Sequence, residues 1–336
     1  MFALDPEQSH RFVLGILRIT ISKGILRWLV KKCYQVRTDE LKKDLFDKKF
    51  FNPIGLAAGF DKDALAIESL SSFGFGFIEI GTVTPKAQDG NPKKRLFRLS
   101  RDYGLINRMG FNNEGSQTIA RRLKKLKRPD GLIIGVNIGK NKDTPIKESI
   151  NDYLKCLKTF SPLADFITIN VSSPNTPELQ SLQEKELLKN LINKLITENN
   201  KSKSPVPILL KISPDLSFQQ VDDIVEIVEK TKLAGIVAVN TTLKRDEIKS
   251  PYKDQKGGLS GRPLFQRSLE IISYIKAKQT KPFCIIGVGG IQSPQDALKI
   301  FEAGADLIQI YTGLVYQGPR LIKRINQYLL RSIQSN

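Results

Sequence analysis

Eight short runs rich in Ile, Val, Leu and Phe, each followed by a helical pattern, constrain this chain more than any other feature. The runs cover residues 54–58, 75–80, 132–137, 166–170, 208–212, 235–240, 283–288 and 307–311. Most are continuously apolar rather than alternating, as parallel strands covered on both faces require. Helical patterns fall near 63–72, 114–127, 147–160, 183–198, 218–231, 263–278 and 294–303, with a last one near 317–332. Ser217 and Ser293-Pro294 read as helix starts, each with a capping hydroxyl and the second with proline at the first helical position. Eight strand-then-helix units predict an α/β fold, a (β/α)8 TIM barrel. Connections leaving the strands are long (82–112, 171–182, 241–262), which places a site at the strands' C-terminal ends. A doubly wound sheet is the rival fold. It would carry a Gly-rich turn after its first strand, and Gly55-Leu56-Ala57-Ala58-Gly59 is not that fingerprint.

The strand ends carry a second pattern. Apolar runs terminate at Gly81-Thr82, Asn137, Asn170, Lys211, Asn240, Gly289-Gly290 and Tyr311-Thr312. Polar residues at the same end of successive strands describe a shared site, because buried amides cost free energy unless paired. The segments around Gly289-Gly290 and Tyr311-Thr312-Gly313 read as a phosphate cradle, where backbone N–H groups after the seventh and eighth strands approach an anion; a pair of tight turns is the plain alternative. Lys62 and Lys211 are cations at the barrel mouth, suited to an anionic substrate or to charge on a reduced cofactor. For Lys62 a surface ion pair with its aspartate neighbours is the alternative, whereas Lys211 ends a buried strand and needs a counter-charge. Asn107-Arg108-Met109-Gly110-Phe111-Asn112-Asn113, together with Asn137, Asn170, Asn175 and Asn240, makes an amide-rich mouth fit for a flat hydrogen-bonding ring. The loop itself also reads as a simple turn. Ser173 is the one proton acceptor in the loop after the fourth strand, with no His or carboxylate beside it in sequence.

Composition narrows the classes. The 336 residues carry a net charge of +19, one histidine (His10) and three cysteines without a CxxC pair. A His-based triad in the body is excluded, and neither disulfides nor zinc are indicated. The lysines are scattered over helix surfaces and loops, so a solvated basic surface is favoured over nucleic-acid binding. No apolar run reaches transmembrane length. Residues 1–40 stand apart from the barrel at 41–336. Residues 6–18 place Phe12, Val13, Ile16 and Leu17 on one helical side. Residues 22–32 place Lys23, Arg27 and Lys31 on one stripe, with Ile25, Trp28 and Leu29 elsewhere. Such a basic amphipathic pair either lies on a membrane surface or caps the barrel.

Taken together, these motifs resemble a known family. Leu4-Asp5-Pro6-Glu7 with His10, Gly55–Gly59 with Asp61-Lys62, residues 79–85, 105–113 and 137–143, the Asn170–Pro177 loop, Asn240-Thr241-Thr242-Leu243, residues 257–264 and the two glycine segments are similar, in collinear order, to the quinone-dependent (class 2) dihydroorotate dehydrogenases. The resemblance implies oxidation of (S)-dihydroorotate to orotate in pyrimidine (UMP) biosynthesis, with one FMN per chain and a membrane quinone as acceptor. Residue by residue, it implies Ser173 as the base for the C5 proton while hydride leaves C6 for flavin N5, with Thr176 and Phe111 shaping the proton's exit. The soluble relatives have a cysteine at that position. Lys62, Asn107, Arg108, Met109, Gly110, Phe111, Asn170, Asn175, Asn240 and Thr241 match the substrate-holding set. Ala58, Gly59, Phe60, Asp61, Lys62, Thr82, Asn137, Asn170, Lys211, Val239, Gly261, Gly290, Tyr311 and Thr312 match the FMN set. Val239 stands in place of a usual threonine, Phe60 of a leucine and Thr312 of a serine. His10, Arg95 and Tyr311 match polar positions on the quinone route. The N-terminal helices are then expected to form a membrane-facing tunnel, peripheral on the cytoplasmic face of a bacterial membrane, with no leader or anchor preceding them. An RNA-modifying dihydrouridine synthase is a poorer match, lacking here its loop cysteine and helical extension. A basic membrane or nucleic-acid binder would leave the strand-end amides without a purpose.

Overall fold

The computed structural model describes residues 5–21 and 24–335; Leu4 and Lys23 of the motifs above lie outside them. Eight parallel strands close into a barrel: β1 (Ile54–Leu56), β2 (Phe77–Val83), β3 (Ile133–Ile138), β4 (Phe166–Asn170), β5 (Ile208–Lys211), β6 (Gly235–Ala238), β7 (Cys284–Val288) and β8 (Leu307–Ile310). Closure is made by β8 against β1, Ile308, Gln309 and Ile310 opposite Ile54, Gly55 and Leu56. The expected strands are all present, with ends moved by a few residues. Helices over Ser116–Lys125, Ser149–Phe160, Lys185–Asn199, Phe218–Thr231, Phe265–Lys278, Pro294–Glu302 and Arg320–Gln334 surround them. Ser217 and Ser293 cap their helices with reciprocal bonds to Gln220 and Asp296, as their sequences predict.

Alternation along the strands sorts two apolar layers. Ile54, Leu56, Ile78, Ile80, Ile134 and Val136 pack with the surrounding helices. Phe77, Ile133, Phe166, Leu209, Val237, Ile286 and Leu307 form a separate cluster that fills the barrel's lower interior. Two phenylalanine rings fit there because the facing positions carry no side chain. A Cβ on Gly55 would stand 2.3 Å from the Phe77 ring, and one on Gly135 2.1 Å from the Phe166 ring. Beneath them a hairpin, Lys43–Leu45 with Lys48–Phe50, inserts Phe50, its ring 5.6 Å from that of Phe77. This plug closes the N-terminal end, so access to the interior is from the opposite rim.

Several local expectations need correction. The helix expected near 63–72 is confined to Ile67–Leu70 and the 3-10 turn Ser71–Phe73. The buried Asp61 carboxylate takes the Leu65 and Ala66 N–H groups (2.7 and 2.8 Å) and holds the preceding residues in a turn. The last helix is two, Thr312–Gln317 and Arg320–Gln334, broken at Gly318-Pro319. The long loops after β2 and β6 are not irregular throughout. Leu96–Leu99, Gly104–Asn107 and Gly258–Gly261 form a three-stranded antiparallel sheet beside the mouth, with its own small core of Leu99, Ile106, Ile248 and Leu259.

The N-terminal segment forms α1 (Pro6–Thr20) and α2 (Gly24–Tyr34). The pair packs on the barrel and also leaves apolar side chains exposed. Leu14, Leu17, Ile21, Val30 and Tyr34 pack toward the core, whereas Phe12 (60 % exposed), Ile16, Ile19 (81 %), Ile25 (77 %), Trp28 and Leu29 face outward. No helix among the described residues is long and apolar enough to cross a membrane.

The glycine–ring complementarity yields a test. Gly135→Ala forces a methyl into the Phe166 ring and is expected to lower the free energy of urea unfolding by about 1–3 kcal/mol. Adding Phe166→Leu should return part of that loss, because contacting residues couple. Two losses that simply add would show that the ring does not set the glycine.

Candidate active site

Above the phenylalanine layer the same strand faces turn polar. Two residues beyond Phe77, Gly135, Leu209 and Leu307 come Glu79, Asn137, Lys211 and Gln309. Glu79 is fully buried. Its carboxylate accepts from Asn137 Nδ2 (2.7 Å) and from Gln309 Nε2. Lys211 is buried too, and burial pushes its pKa down, with the Glu79 charge acting in the opposite direction. Glu79 is therefore the counter-charge that Lys211 requires.

A chain of amides climbs from this layer to the rim. Thr82 Oγ1 donates to Asn137 Oδ1 (2.5 Å). Asn170 Nδ2 donates to both Thr82 Oγ1 and Asn137 Oδ1 (3.0 Å each). Asn240 Nδ2 donates to Ser172 Oγ (3.0 Å). The bonds fix every amide's orientation, which leaves defined groups facing the cavity. Gln309 Oε1 is buried and without a hydrogen-bond partner, and Gln309 lines the cavity.

The cavity at the strands' C-terminal ends spans about 1090 Å³, counting the space at its mouth that is open to solvent. One wall carries Lys62, Asn107, Met109, Gly110 and Phe111; another carries Ser173, Asn175, Asn240 and Thr241. Ala58, Gly59, Thr82, Asn170, Lys211 and Val239 line the floor side, and Gly261, Gly290, Tyr311 and Thr312 complete the rim. The structure thus gathers nearly all the residues that the sequence singled out around one cavity. Ser173 is buried, and its Oγ accepts the Asn175 N–H at 3.3 Å. Asn175 Nδ2 reaches Asn107 Oδ1 at 3.4 Å, joining the two amide walls. Lys62 donates to Asn112 Oδ1 rather than forming an ion pair with its aspartate neighbours. Burial, with Arg95 second, lowers its pKa to about 8.

On the rim, Gly261 and Gly290 have φ of +95° and +76°, where only glycine sits without strain. A Cβ there would also come within 2.3 Å of the Tyr103 carbonyl and 2.4 Å of Phe265. Ser260 Oγ and Thr312 Oγ1 stand 2.8 Å apart beside these turns.

Four of the residues matched to the substrate and FMN sets are not on the cavity wall. Asn137 lies beneath it in the Glu79 network. Asp61 is turned inward as the cap of residues 65–66, where burial raises its pKa to about 6. The Phe60 ring packs edge-on against Tyr311, centroids 5.5 Å apart. Arg108 points outward to Gln255 and the Lys256 carbonyl, with its guanidinium over Phe97. The amides at 107–113 also have a structural use: buried Asn113 bonds Thr84, the Phe111 carbonyl and the Gly115 N–H.

His10 is part of α1, and Arg95 is tied to that helix through Glu7. His10 Nε2 donates to the Phe60 carbonyl (2.8 Å) and its ring meets that of Phe60, so His10, Phe60 and Tyr311 form a continuous line from α1 to the cavity. Burial lowers the His10 pKa to about 4. Arg95 is held on three sides, by both Glu7 oxygens (3.0 and 2.8 Å) and by the Asp89 and Asn91 carbonyls. Glu7, Glu79, Gln309 and Ser260 were not among the residues singled out. For Glu79 and Gln309 a signal existed: each is a polar residue inside an otherwise apolar strand, on the parity of an inward-facing neighbour.

Comparison with known proteins fits this geometry. The family model described as Dihydroorotate dehydrogenase matches residues 40–333. A Christiangramia forsetii protein called dihydroorotate dehydrogenase (quinone) is 51 % identical over 98 % of this chain and 96 % of its own. A Thermus thermophilus protein of the same name is 46 % identical over all of this chain and 95 % of its own. The solved structure of DHODH in complex with ferulenol from Eimeria tenella superposes with a TM-score of 0.90 at 35 % identity, covering 98 % of this chain and 92 % of that one. With an eight-stranded barrel, one cavity at its C-terminal rim and matches spanning almost the whole chain, the protein belongs to the dihydroorotate dehydrogenase family, with relatives of the quinone-linked kind.

Proposed function

We propose that the cavity binds FMN and dihydroorotate side by side, and that Ser173 is the base. The reaction is oxidation of dihydroorotate to orotate in pyrimidine biosynthesis with a quinone as acceptor. The observation that carries the proposal is the meeting of Ser173, the Asn107, Asn175 and Asn240 amides, Lys62 and Lys211 around one cavity. The residues present suit a flavin phosphate ester. Gln309 offers a buried oxygen without a partner for a ring N–H, Lys211 a buried cation, and Ser260, Thr312 and the Gly261 and Gly290 turns a hydroxyl-and-glycine pocket open to close backbone approach.

Bound FMN supplies the two-electron acceptor for hydride from C6 and the donor to quinone. The protein's own contribution is positional and electrostatic. Asn107, Asn175, Asn240 and Thr241 hold the pyrimidine edge, and Lys62 holds the anionic carboxylate. Ser173 Oγ takes the C5 proton. The Asn175 N–H donated to that oxygen holds it in place while its own hydroxyl proton leaves. Thr176 Oγ1, buried and without a partner, is the next acceptor along the chain for the departing proton. Lys211, held in the field of the Glu79 charge, would offset the charge that a bound flavin gains on reduction.

The quinone approaches from α1 and α2 along the His10–Phe60–Tyr311 line. The outward apolar residues of those helices, with Arg11, Arg18, Arg27 and Lys32 among them, suit the surface of an anionic bilayer. The protein is accordingly peripheral to the cytoplasmic face of the cell membrane, and its basic charge serves that contact rather than nucleic acid.

Ser173→Ala should retain FMN and slow anaerobic flavin reduction by dihydroorotate by about 100-fold or more; a near-normal rate would remove the serine from the chemistry. For Lys62 the sign is set by its lowered pKa. The ammonium that binds the carboxylate is lost as pH rises through about 8, so kcat/KM for dihydroorotate should fall above that pH. Lys62→Met should abolish this limb, and a wild-type profile that stays flat through the alkaline range would contradict the assignment. Ile19→Glu combined with Ile25→Glu should weaken binding to phosphatidylglycerol vesicles and turnover with a long-chain quinone, leaving flavin reduction within about twofold. Equal loss of both half-reactions would mark the helices as a structural cap only.

A further inference from the structure

The Ser173 loop has no rigid element of its own, since residues 171–178 run between β4 and the 3-10 turn Leu179–Gln183. Besides the long Asn175–Asn107 bond, a residue from a different loop fixes it relative to the substrate wall. Asn91, in the segment after β2, donates from Nδ2 to the Asn175 carbonyl (3.0 Å), and its backbone N–H donates to the Met109 carbonyl (3.0 Å). A Cβ on Gly110 would lie 2.8 Å from the Asn91 amide, so the Asn91 side chain is packed flat against the 107–111 loop. One asparagine thereby spans the two walls that carry Asn107 and Ser173.

Asn91 is itself held. Its carbonyl accepts from Arg95 Nη1 (2.8 Å), and the same nitrogen donates to the Asp89 carbonyl (2.6 Å). Arg95 is in turn clasped by Glu7 of α1, and both side chains are nearly buried. Charge-assisted bonds of this kind are short and geometrically strict. The series runs Glu7, Arg95, Asn91, Asn175, Ser173, each step a hydrogen bond.

We infer that Asn91 is a positioning residue for the dehydrogenation step: it locks the Ser173 loop at the distance from the 107–111 loop at which the hydroxyl meets the substrate proton. It is not part of the cavity lining and acts through Asn175. The inference rests on Ser173 as the base. A displacement of about 1 Å at a reacting group is enough to slow chemistry by an order of magnitude or more.

The test uses the full-length holoenzyme and three variants, Asn91→Ala, the near-isosteric Asn91→Asp, and Ser173→Ala, with Asn91→Ala also placed in the Ser173→Ala background. Both Asn91 variants should bind FMN normally and slow flavin reduction by dihydroorotate about tenfold, with reoxidation by a soluble quinone analogue unchanged. Hydrogen exchange should rise in the peptide spanning 171–178 and not in the barrel strands. In the Ser173→Ala background the Asn91 substitution should cost nothing further, because there is no base left to misplace. Full-rate reduction in both Asn91 variants, with Ser173→Ala slow, would overturn this inference alone. The same would follow if Asn91→Ala slowed the Ser173→Ala enzyme by the same factor as wild type. Rapid reduction by Ser173→Ala would overturn the base assignment and this inference with it.

Discussion

A single carboxylate inside the barrel organises the rest of the site. Glu79 sits fully buried where the apolar interior ends, a position that is costly for a charge unless it is met by another. The Lys211 charge acts on it through space, and Asn137 and Gln309 donate to it. Those partners are then committed in orientation, and they commit Thr82 and Asn170 above them. The cavity floor is thereby a set of pre-aimed donors and acceptors rather than a wet hole. Such preorganisation lets a site bind a flat polar ring without reorganising when charge develops on it.

The apolar layer below performs the complementary task. Phe77 and Phe166 fill the barrel against Gly55 and Gly135, and Phe50 seals the bottom. With no opening at that end, ligands reach the polar layer from the rim, where the inserted antiparallel sheet and the Ser173 loop stand. The rim divides by function. Glycine turns and hydroxyls gather after β7 and β8 and at Ser260-Gly261, amides and the serine after β2, β4 and β6, and α1 docks on the remaining side through Glu7, His10 and Leu14. On the proposed reading, the quinone on the α1 side and the substrate at the amide rim have separate approaches.

The barrel was legible because eight continuously apolar runs with helices between them admit few other folds, and the polar strand ends named most of the cavity wall. Residues whose importance depends on parity were less visible. Glu79 and Gln309 interrupt apolar strands, yet only the inward register shared with Phe77 and Leu307 gives them meaning. The inserted sheet was missed because Leu96–Leu99 and Gly258–Gly261 are four-residue strands whose partner lies far along the chain. Asp61 and Arg108 show the converse error. Lying next to site residues in sequence, they point away from the cavity because a turn needs a cap and an aromatic face needs a cation. Local sequence reports chemistry well, and side-chain direction only where an element's period fixes it.

The claim on which everything turns is that this cavity holds a flavin in contact with dihydroorotate. The most direct measurement is the visible absorption spectrum of the purified protein, supplied with FMN and titrated with dihydroorotate in the absence of oxygen. A yellow protein with one FMN per chain, bleached by the substrate and recoloured by a quinone, is the predicted result. A protein that stays colourless after FMN is offered, or a bound flavin that dihydroorotate leaves oxidised, would contradict the account.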